Sequence, residues 1–379
     1  MKIGIFGGTF APPHNTHVEM AEQALIQLKL DRLFILPCGE PPHKSSHTSK
    51  FDRLEMTRLA FEKIKGAEVD SYEIEKEGKG YTYQTLLHYK ELYPAAKLYF
   101  IIGGDSLRDF GTWKNPQIIS DAATLALCRR KGLEYLPYIA KARHDYNAKI
   151  KMVDITLSDV SSRAVRVDCE FFNALSFVPS ASGKSFFEFI PQSVKEYILN
   201  NRLFTKYGGA IKKLSSLLDG ERLSHTYYVV QTALALSGGL DEEKVFTAAL
   251  LHDCAKQIKK EQWGKYDFND GCCEKVAHAK LGAIVAKQDF GVSDKEVLDA
   301  IYYHSTARKN MTKLDMVIFL ADKLEPSREY PVSHLFKESL EETFKAVLSE
   351  VVLRLEERGG KIDPLSFEAE EFYLKDANK

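Results

Sequence analysis

Two sets of histidines, one in each half of the chain, carry most of the chemistry this sequence offers. The first lies in Gly7-Gly8-Thr9-Phe10-Ala11-Pro12-Pro13-His14-Asn15-Thr16-His17. Two glycines ending an apolar run let the backbone approach a polyphosphate, and a helix starting just beyond offers its free N–H groups to the same anion. His14 and His17, three apart at that helix start, face one side, where imidazoles donate hydrogen bonds to charge building on a phosphoryl group. The second set is His225, His252, His278 and His304, joined by Asp253 and Asp322. A His-Asp doublet inside the apolar helical run 248–255 is costly to bury unless both side chains are satisfied. A divalent ion satisfies them, and mixed imidazole–carboxylate donors suit iron, manganese or zinc. No convincing Ser–His–Asp or Cys–His arrangement is present, which suits phosphoryl chemistry done by positioning and electrostatics.

The elements that must position these residues differ between the halves. In the first, short apolar runs rich in β-formers appear at 3–6, 33–36, 98–102, 124–127 and 150–155. Amphipathic stretches at helical period separate them, as at 18–28, 53–64 and 85–92. That alternation predicts an α/β doubly wound parallel sheet, which binds ligands at the carboxyl ends of its strands. Gly7-Gly8 and Gly103-Gly104 fall at such ends. Beyond about residue 206 the strand signals fade, and helical periodicity runs through 211–218, 225–236, 243–258, 276–288, 295–303 and 314–324, with one long helix over 335–355. The second half therefore reads as all-α, and the domains divide as 1–204 and 208–379. Ser180–Ser185 ends like a phosphate-binding loop but has Phe177 in place of the earlier glycine, so it reads as a surface loop.

A chain of 379 residues exceeds one ordinary domain. Its 44% hydrophobic and 28% charged content excludes a mostly disordered polymer. A net charge of -1, mildly positive in the first half and mildly negative in the second, gives no field for nucleic acid or membrane and suits a phosphate-bearing small molecule. Six cysteines without a CxxC pair argue against a disulfide framework or a zinc ribbon. With no cationic leader before the first strand and no apolar run of spanning length, the expected setting is the cytoplasm. A homo-oligomer is left open.

Ordered blocks over 1–204 resemble the bacterial nicotinate-mononucleotide adenylyltransferases of the HxGH nucleotidyltransferase superfamily. They are GGTFxPPHxxH, Pro41-Pro42-His43-Lys44, Phe51–Met56, Gly78–Tyr83, Phe100–Leu107, Trp113, Arg129, Val160–Arg166 and Pro191–Ile198. The resemblance implies that ATP lies on Gly7, Gly8, Thr9 and Phe10, while His14 and His17 steady its α-phosphate during attack by the mononucleotide. Ser161, Ser162 and Arg166 would hold the departing pyrophosphate, Lys44 and Arg129 would add phosphate contacts, and Asp105 would meet the ribose. Trp113 would stack on the pyridine ring, Tyr81, Thr82 and Tyr83 would receive its carboxylate, and Mg²⁺ would bridge phosphate oxygens. Two positions depart from the pattern: Thr16 replaces the HxGH glycine, and Ala11 stands where an acidic residue is frequent. Activity is expected to survive both.

The order H…HD…H…H…D, with the run 300–328, is similar to YqeK-like HD domains, which cleave diadenosine tetraphosphate symmetrically to two ADP. This resemblance covers 208–379. It implies one divalent ion, iron or manganese, on His225, His252, Asp253 and Asp322, and a second on Asp253, His278 and His304. Asp253 is then catalytic, and Lys256, Lys323 and Arg328 contact phosphate. Ala307 stands where that family usually has glycine. The implied whole is a bifunctional enzyme whose partners are ATP, nicotinate mononucleotide and a dinucleoside polyphosphate. The alternative keeps an adenylyltransferase for another acceptor, nicotinamide mononucleotide or phosphopantetheine, beside a non-catalytic ligand-sensing HD module.

Overall fold

The computed structural model describes residues 1–40, 48–130, 135–156, 160–180, 185–269, 274–328, 335–337, 339–357 and 363–375. Contacts divide the chain into two units, 1–169 with 185–205, and 170–184 with 206–379.

In the first unit six strands form one parallel sheet: β1 (Lys2–Gly8), β2 (Arg32–Pro37), β3 (Ala67–Val69), β4 (Lys97–Gly103), β5 (Thr124–Arg130) and β6 (Ile150–Ile155). Their order is β3-β2-β1-β4-β5-β6, so the chain reverses its winding between β1 and β4. β3 is absent from the strands expected from the sequence. Its three residues, Ala-Glu-Val, are too few to set a period, and it survives as an edge strand by pairing with β2.

The pairing registers locate the crevice. β1 and β4 pair only as far as Ile5↔Phe100. Beyond that point β1 stays with β2 to Gly8↔Pro37, while β4 stays with β5 to Gly103↔Cys128. The two middle strands therefore part at their carboxyl ends, where a doubly wound sheet takes its ligand. Buried Ile3, Ile5, Phe100 and Leu125 anchor the strands below that gap, and Ile102 and Leu127 continue the core beside it, each worth about 1.5–3 kcal/mol of burial.

The helices of this unit are α1 (Asn15–Leu28), α2 (Lys50–Phe61), α3 (Tyr72–Glu75), α4 (Thr82–Leu92), α5 (Gly104–Arg108), α6 (Pro116–Ala122), α7 (Leu136–Tyr146), α8 (Ser162–Leu175) and α9 (Gln192–Asn200). The last residues of α8 count with the second unit. Phe10 turns the chain from β1 toward α1 with φ 48°, the left-handed region, and is held there by edge contacts with Phe6, Phe61 and His17. Gly8 leaves room for that ring, since a Cβ there would stand 2.9 Å from it.

The second unit is helical: α10 (Gly208–Ser215), α11 (Gly220–Leu236), α12 (Glu242–Leu251), α13 (Glu274–Phe290), α14 (Lys295–Tyr303), α15 (Lys313–Leu324), α16 (Leu340–Glu357) and α17 (Pro364–Glu370). Asp219, Asp241, Asp294 and Thr312 cap α11, α12, α14 and α15 through side-chain oxygens, each worth about 1 kcal/mol. Two expectations need correction. α12 stops at Leu251 instead of running to 258, so the His-Asp doublet lies in the turn after the helix. The long helix begins at Leu340 rather than Leu335, capped by Ser339, whose Oγ accepts from Glu342 N–H at 3.2 Å. Among the described residues no helix is long and apolar enough to cross a membrane.

Candidate active sites

In the first unit, His14 is the N-cap of α1 and His17 lies one turn in. Their rings stack with centroids 3.7 Å apart, so both share one face as the spacing predicts. The His14 backbone N–H donates to His17 Nδ1 at 3.2 Å, which leaves the proton of a neutral His17 ring on Nε2. Burial, with His14 alongside, holds His17 well below its ordinary value. It is therefore a neutral imidazole donor.

The start of α8 is tied to the same turn. Ser162 Oγ donates to the Pro12 carbonyl at 2.9 Å, and Arg166 donates to the Ala11 carbonyl at 2.9 Å. Ser161 Oγ accepts the Ala164 N–H at 3.1 Å. The glycine turn, the histidine pair and this helix N-terminus thus converge from residues about 150 apart. Thr16 and Ala11, the two departures from the HxGH pattern, are both buried.

The other expected contacts spread around the strand ends. Asp105 is exposed in the first turn of α5, 3.5 Å from Arg108. Arg129, on β5, pairs with Asp154 at 2.7 Å. Trp113 is half-buried, its ring 6.0 Å from Phe100 and 5.7 Å from Phe110. Tyr81 caps α4 beneath the Lys114 ammonium, with Thr82 and Tyr83 following in the first turn. Lys44 and the 41–44 block lie outside the described residues, as do 181–184 of the expected surface loop.

One residue of the Phe51–Met56 block has a role that the sequence did not assign. Arg53, in α2, is fully buried and donates to the carbonyls of Cys38, Gly39 and Thr48. Cys38 N–H in turn donates to the Gly8 carbonyl at 2.9 Å. A buried guanidinium thus braces the end of β2 against the glycine turn.

In the second unit α11, the turn after α12, α13, the turn after α14, and α15 each deliver donors to one buried centre. His225 Nε2 lies 3.1 Å from Asp322 Oδ1 and 3.3 Å from His252 Nε2. Asp253 Oδ1 lies 3.2 Å from His278 Nε2 and 3.5 Å from His304 Nε2. His225, His252 and Asp253 form one potential ligand group, and Asp253, His278 and His304 another, with atoms of each within 4.8 Å.

The donor chemistry fits a cation. His252 and His304 spend their Nδ1–H on the carbonyls of Ala249 and Ile301, each at 2.7 Å, so when neutral both present a bare Nε2. His252 is neutral, pushed down to about 3 chiefly by burial. The bare His252 Nε2 lies 3.9 Å from Asp253 Oδ2 and 4.0 Å from Asp322 Oδ1, a meeting of lone pair and carboxylates that positive charge between them would relieve. Burial alone would raise the Asp253 and Asp322 carboxyls, but neighbouring histidines and cations hold both well below the usual range.

Glu325 is the second omission. It is buried, accepts from His225 Nδ1 at 3.0 Å, and is fixed by Ser327 N–H at 2.6 Å and Ser327 Oγ at 2.5 Å. That carboxylate orients the ring and directs its other nitrogen inward. Its position three residues after Asp322 was the available signal. The expected phosphate-contacting cations line the same centre. Arg328 reaches Asp322 Oδ1 and Lys323 its Oδ2, each at 2.5 Å, while Lys256 lies 3.6 Å from Asp253. Ala307 takes φ 62°, the conformation glycine favours.

Residues 5–167 match the cytidylyltransferase-like family and residues 222–327 the HD domain family. A Mycoplasma genitalium protein named "Probable nicotinate-nucleotide adenylyltransferase/Ap4A hydrolase" is 32% identical over 336 residues, covering 86% of this chain and 88% of its own. A "Probable nicotinate-nucleotide adenylyltransferase" of Clostridium tetani is 39% identical over 170 residues, 44% of this chain and 85% of its own. A solved structure from Clostridium acetobutylicum, described as a "predicted HD superfamily hydrolase involved in NAD metabolism", is 29% identical, with TM-score 0.42 over 45% of this chain and 98% of its own.

Proposed function

The chain belongs to the family of joined nicotinate-nucleotide adenylyltransferases and Ap4A hydrolases, and from that premise we propose that it performs both reactions. The first unit transfers AMP from ATP to nicotinate mononucleotide, giving deamido-NAD and pyrophosphate. A phosphate oxygen of the mononucleotide bonds to the α-phosphorus as the bond to the β-phosphate oxygen breaks. His17, neutral with Nε2 protonated, and His14 beside it donate to the α-phosphate, while Ser161, Ser162 and Arg166 hold the leaving pyrophosphate. Gly7, Gly8, Thr9 and Phe10 would form the floor of the ATP site, with Arg129 and Asp105 at its edges; Lys44 is the further phosphate contact that the resemblance implies, and Mg²⁺, when bound, would offset phosphate charge. Trp113 and Tyr81–Tyr83 receive the pyridine carboxylate end. The observation carrying this reading is the tie between the Ala11–Pro12 turn and Ser162 and Arg166 beside the histidine pair.

The second unit hydrolyses diadenosine tetraphosphate to two ADP. His225, His252, Asp253 and Asp322 would hold one divalent ion, iron or manganese, and Asp253, His278 and His304 a second. Such ions, when bound, lower the pKa of water and polarise phosphoryl oxygen. The chain's own groups orient the donors through Glu325, Ala249 and Ile301, and offer Lys323, Arg328 and Lys256 to phosphate oxygens. Product analysis tests both parts on the full chain. Deamido-NAD from ATP with nicotinate mononucleotide, and ADP alone from diadenosine tetraphosphate, are expected; AMP with ATP from the latter, or no turnover, overturns the assignment.

A further inference from the structure

Lys256 stands closer to the donor cluster than phosphate binding requires. Its Nζ lies 2.9 Å from His278 Nε2 and 3.6 Å from Asp253 Oδ1. It also lies 3.5 Å from Nδ1 of the same ring, so the ammonium sits over the imidazole face, within contact range of any cation that Nε2 would hold. A neutral His304 presents a bare Nε2, its Nδ1–H being committed to Ile301. Both nitrogens approach Asp253 Oδ1, so the donors of the second ligand group converge with the lysine charge at their edge. Ser305 Oγ stands 3.1 Å from each ring nitrogen but has a single proton, enough for one of them.

We propose that Lys256 is a built-in competitor for the second cation position, its ammonium and a divalent ion excluding one another on His278 and Asp253. The inference rests on reading the second unit as a metal centre. An ion bound at His278 Nε2 would meet a like charge at contact distance, where repulsion is steep. Lys256 lies in the turn after α12 with its side chain only partly covered, so its stem can swing outward. Loading the second ion would then expel the ammonium from the donors and release it toward a phosphate oxygen. His225 and His252 belong to the other ligand group, so the first ion is affected less.

The test is an Mn²⁺ titration of the chelator-stripped full chain, followed by electron paramagnetic resonance, for wild type, K256M and K256R. K256M is expected to tighten the second ion by roughly tenfold or more relative to the first, the lower end of what removing a neighbouring unit charge supplies in water-like screening. The spin-coupled signal of an ion pair should appear at correspondingly lower Mn²⁺. K256R, which keeps the charge, should stay near wild type. If K256M does not fold, as judged by circular dichroism, K256Q serves in its place. Two ions bound with the second no tighter in the uncharged variant overturns the competition and leaves the metal centre standing. No Mn²⁺ bound by any variant overturns both.

Discussion

Glu325→Gln isolates the inferred metal centre from its own ligands. The carboxylate accepts from His225 Nδ1, Ser327 N–H and Ser327 Oγ, and its side chain is fully enclosed. Although burial pushes Glu325 up, the hydrogen bonds from His225 and Ser327 hold it below its ordinary value, so it is an anion at neutral pH. Glutamine keeps one acceptor oxygen and turns the other into a donor facing donors. A hydrogen bond to a charged partner contributes about 1.5–3 kcal/mol, so one lost bond should destabilise the second unit by about 2 kcal/mol. Because His225 then loses its orientation, the metal affinity should fall by roughly 10–100-fold. The assay is metal content by mass spectrometry after dialysis against graded chelator, alongside both activities. Hydrolysis should fall at limiting metal and recover in excess, with adenylyl transfer unchanged. Metal retention equal to wild type would refute the assigned role.

Three further outcomes follow from the first unit. In a histidine NMR titration, His17 should remain neutral well below pH 6.5, and His14→Ala should move its midpoint upward; a midpoint at 6.5 or above contradicts the enclosed, stacked pair. Because the folded value is depressed, this group's contribution to stability is complete above about 6.5 and declines as the pH falls below it, a trend that chemical denaturation can follow. Arg166→Ala removes the bond to the Ala11 carbonyl and a proposed pyrophosphate contact, and should lower kcat/KM for ATP by about tenfold or more while leaving hydrolysis intact. Thr16→Gly should lower stability by about 1 kcal/mol, since glycine costs that much inside a helix, without raising the rate of adenylyl transfer; a large gain in rate would show that Thr16 obstructs the site.

Residues whose chemistry is costly unless used were legible in the sequence. His252-Asp253 on an apolar run, and His14 with His17 after a glycine turn, stood out as candidates because burial or spacing asks for a partner, and the fold brings each set together. The parallel sheet was legible where strands are buried on both faces and read as continuous apolar runs. β3 was not, because three residues at a sheet edge need only one face covered. The end of α12 was also hidden: the apolar pattern continues past Leu251, and the turn that presents His252 and Asp253 depends on tertiary packing. Nothing in the sequence pairs Arg53 or Glu325 with a partner, and only the fold reveals the carbonyls and the imidazole they hold. Ala307 shows the same limit, since its positive φ belongs to the backbone path rather than to the residue type.

The central claim is that two separate phosphorus chemistries reside in one chain. Its most direct measurement is a chromatographic product profile of the full chain carrying His17→Ala or Asp253→Ala, each supplied with both substrate sets. The first variant should lose deamido-NAD while still forming ADP from diadenosine tetraphosphate, and the second should show the reverse. Loss of both products in either folded variant would contradict the claim.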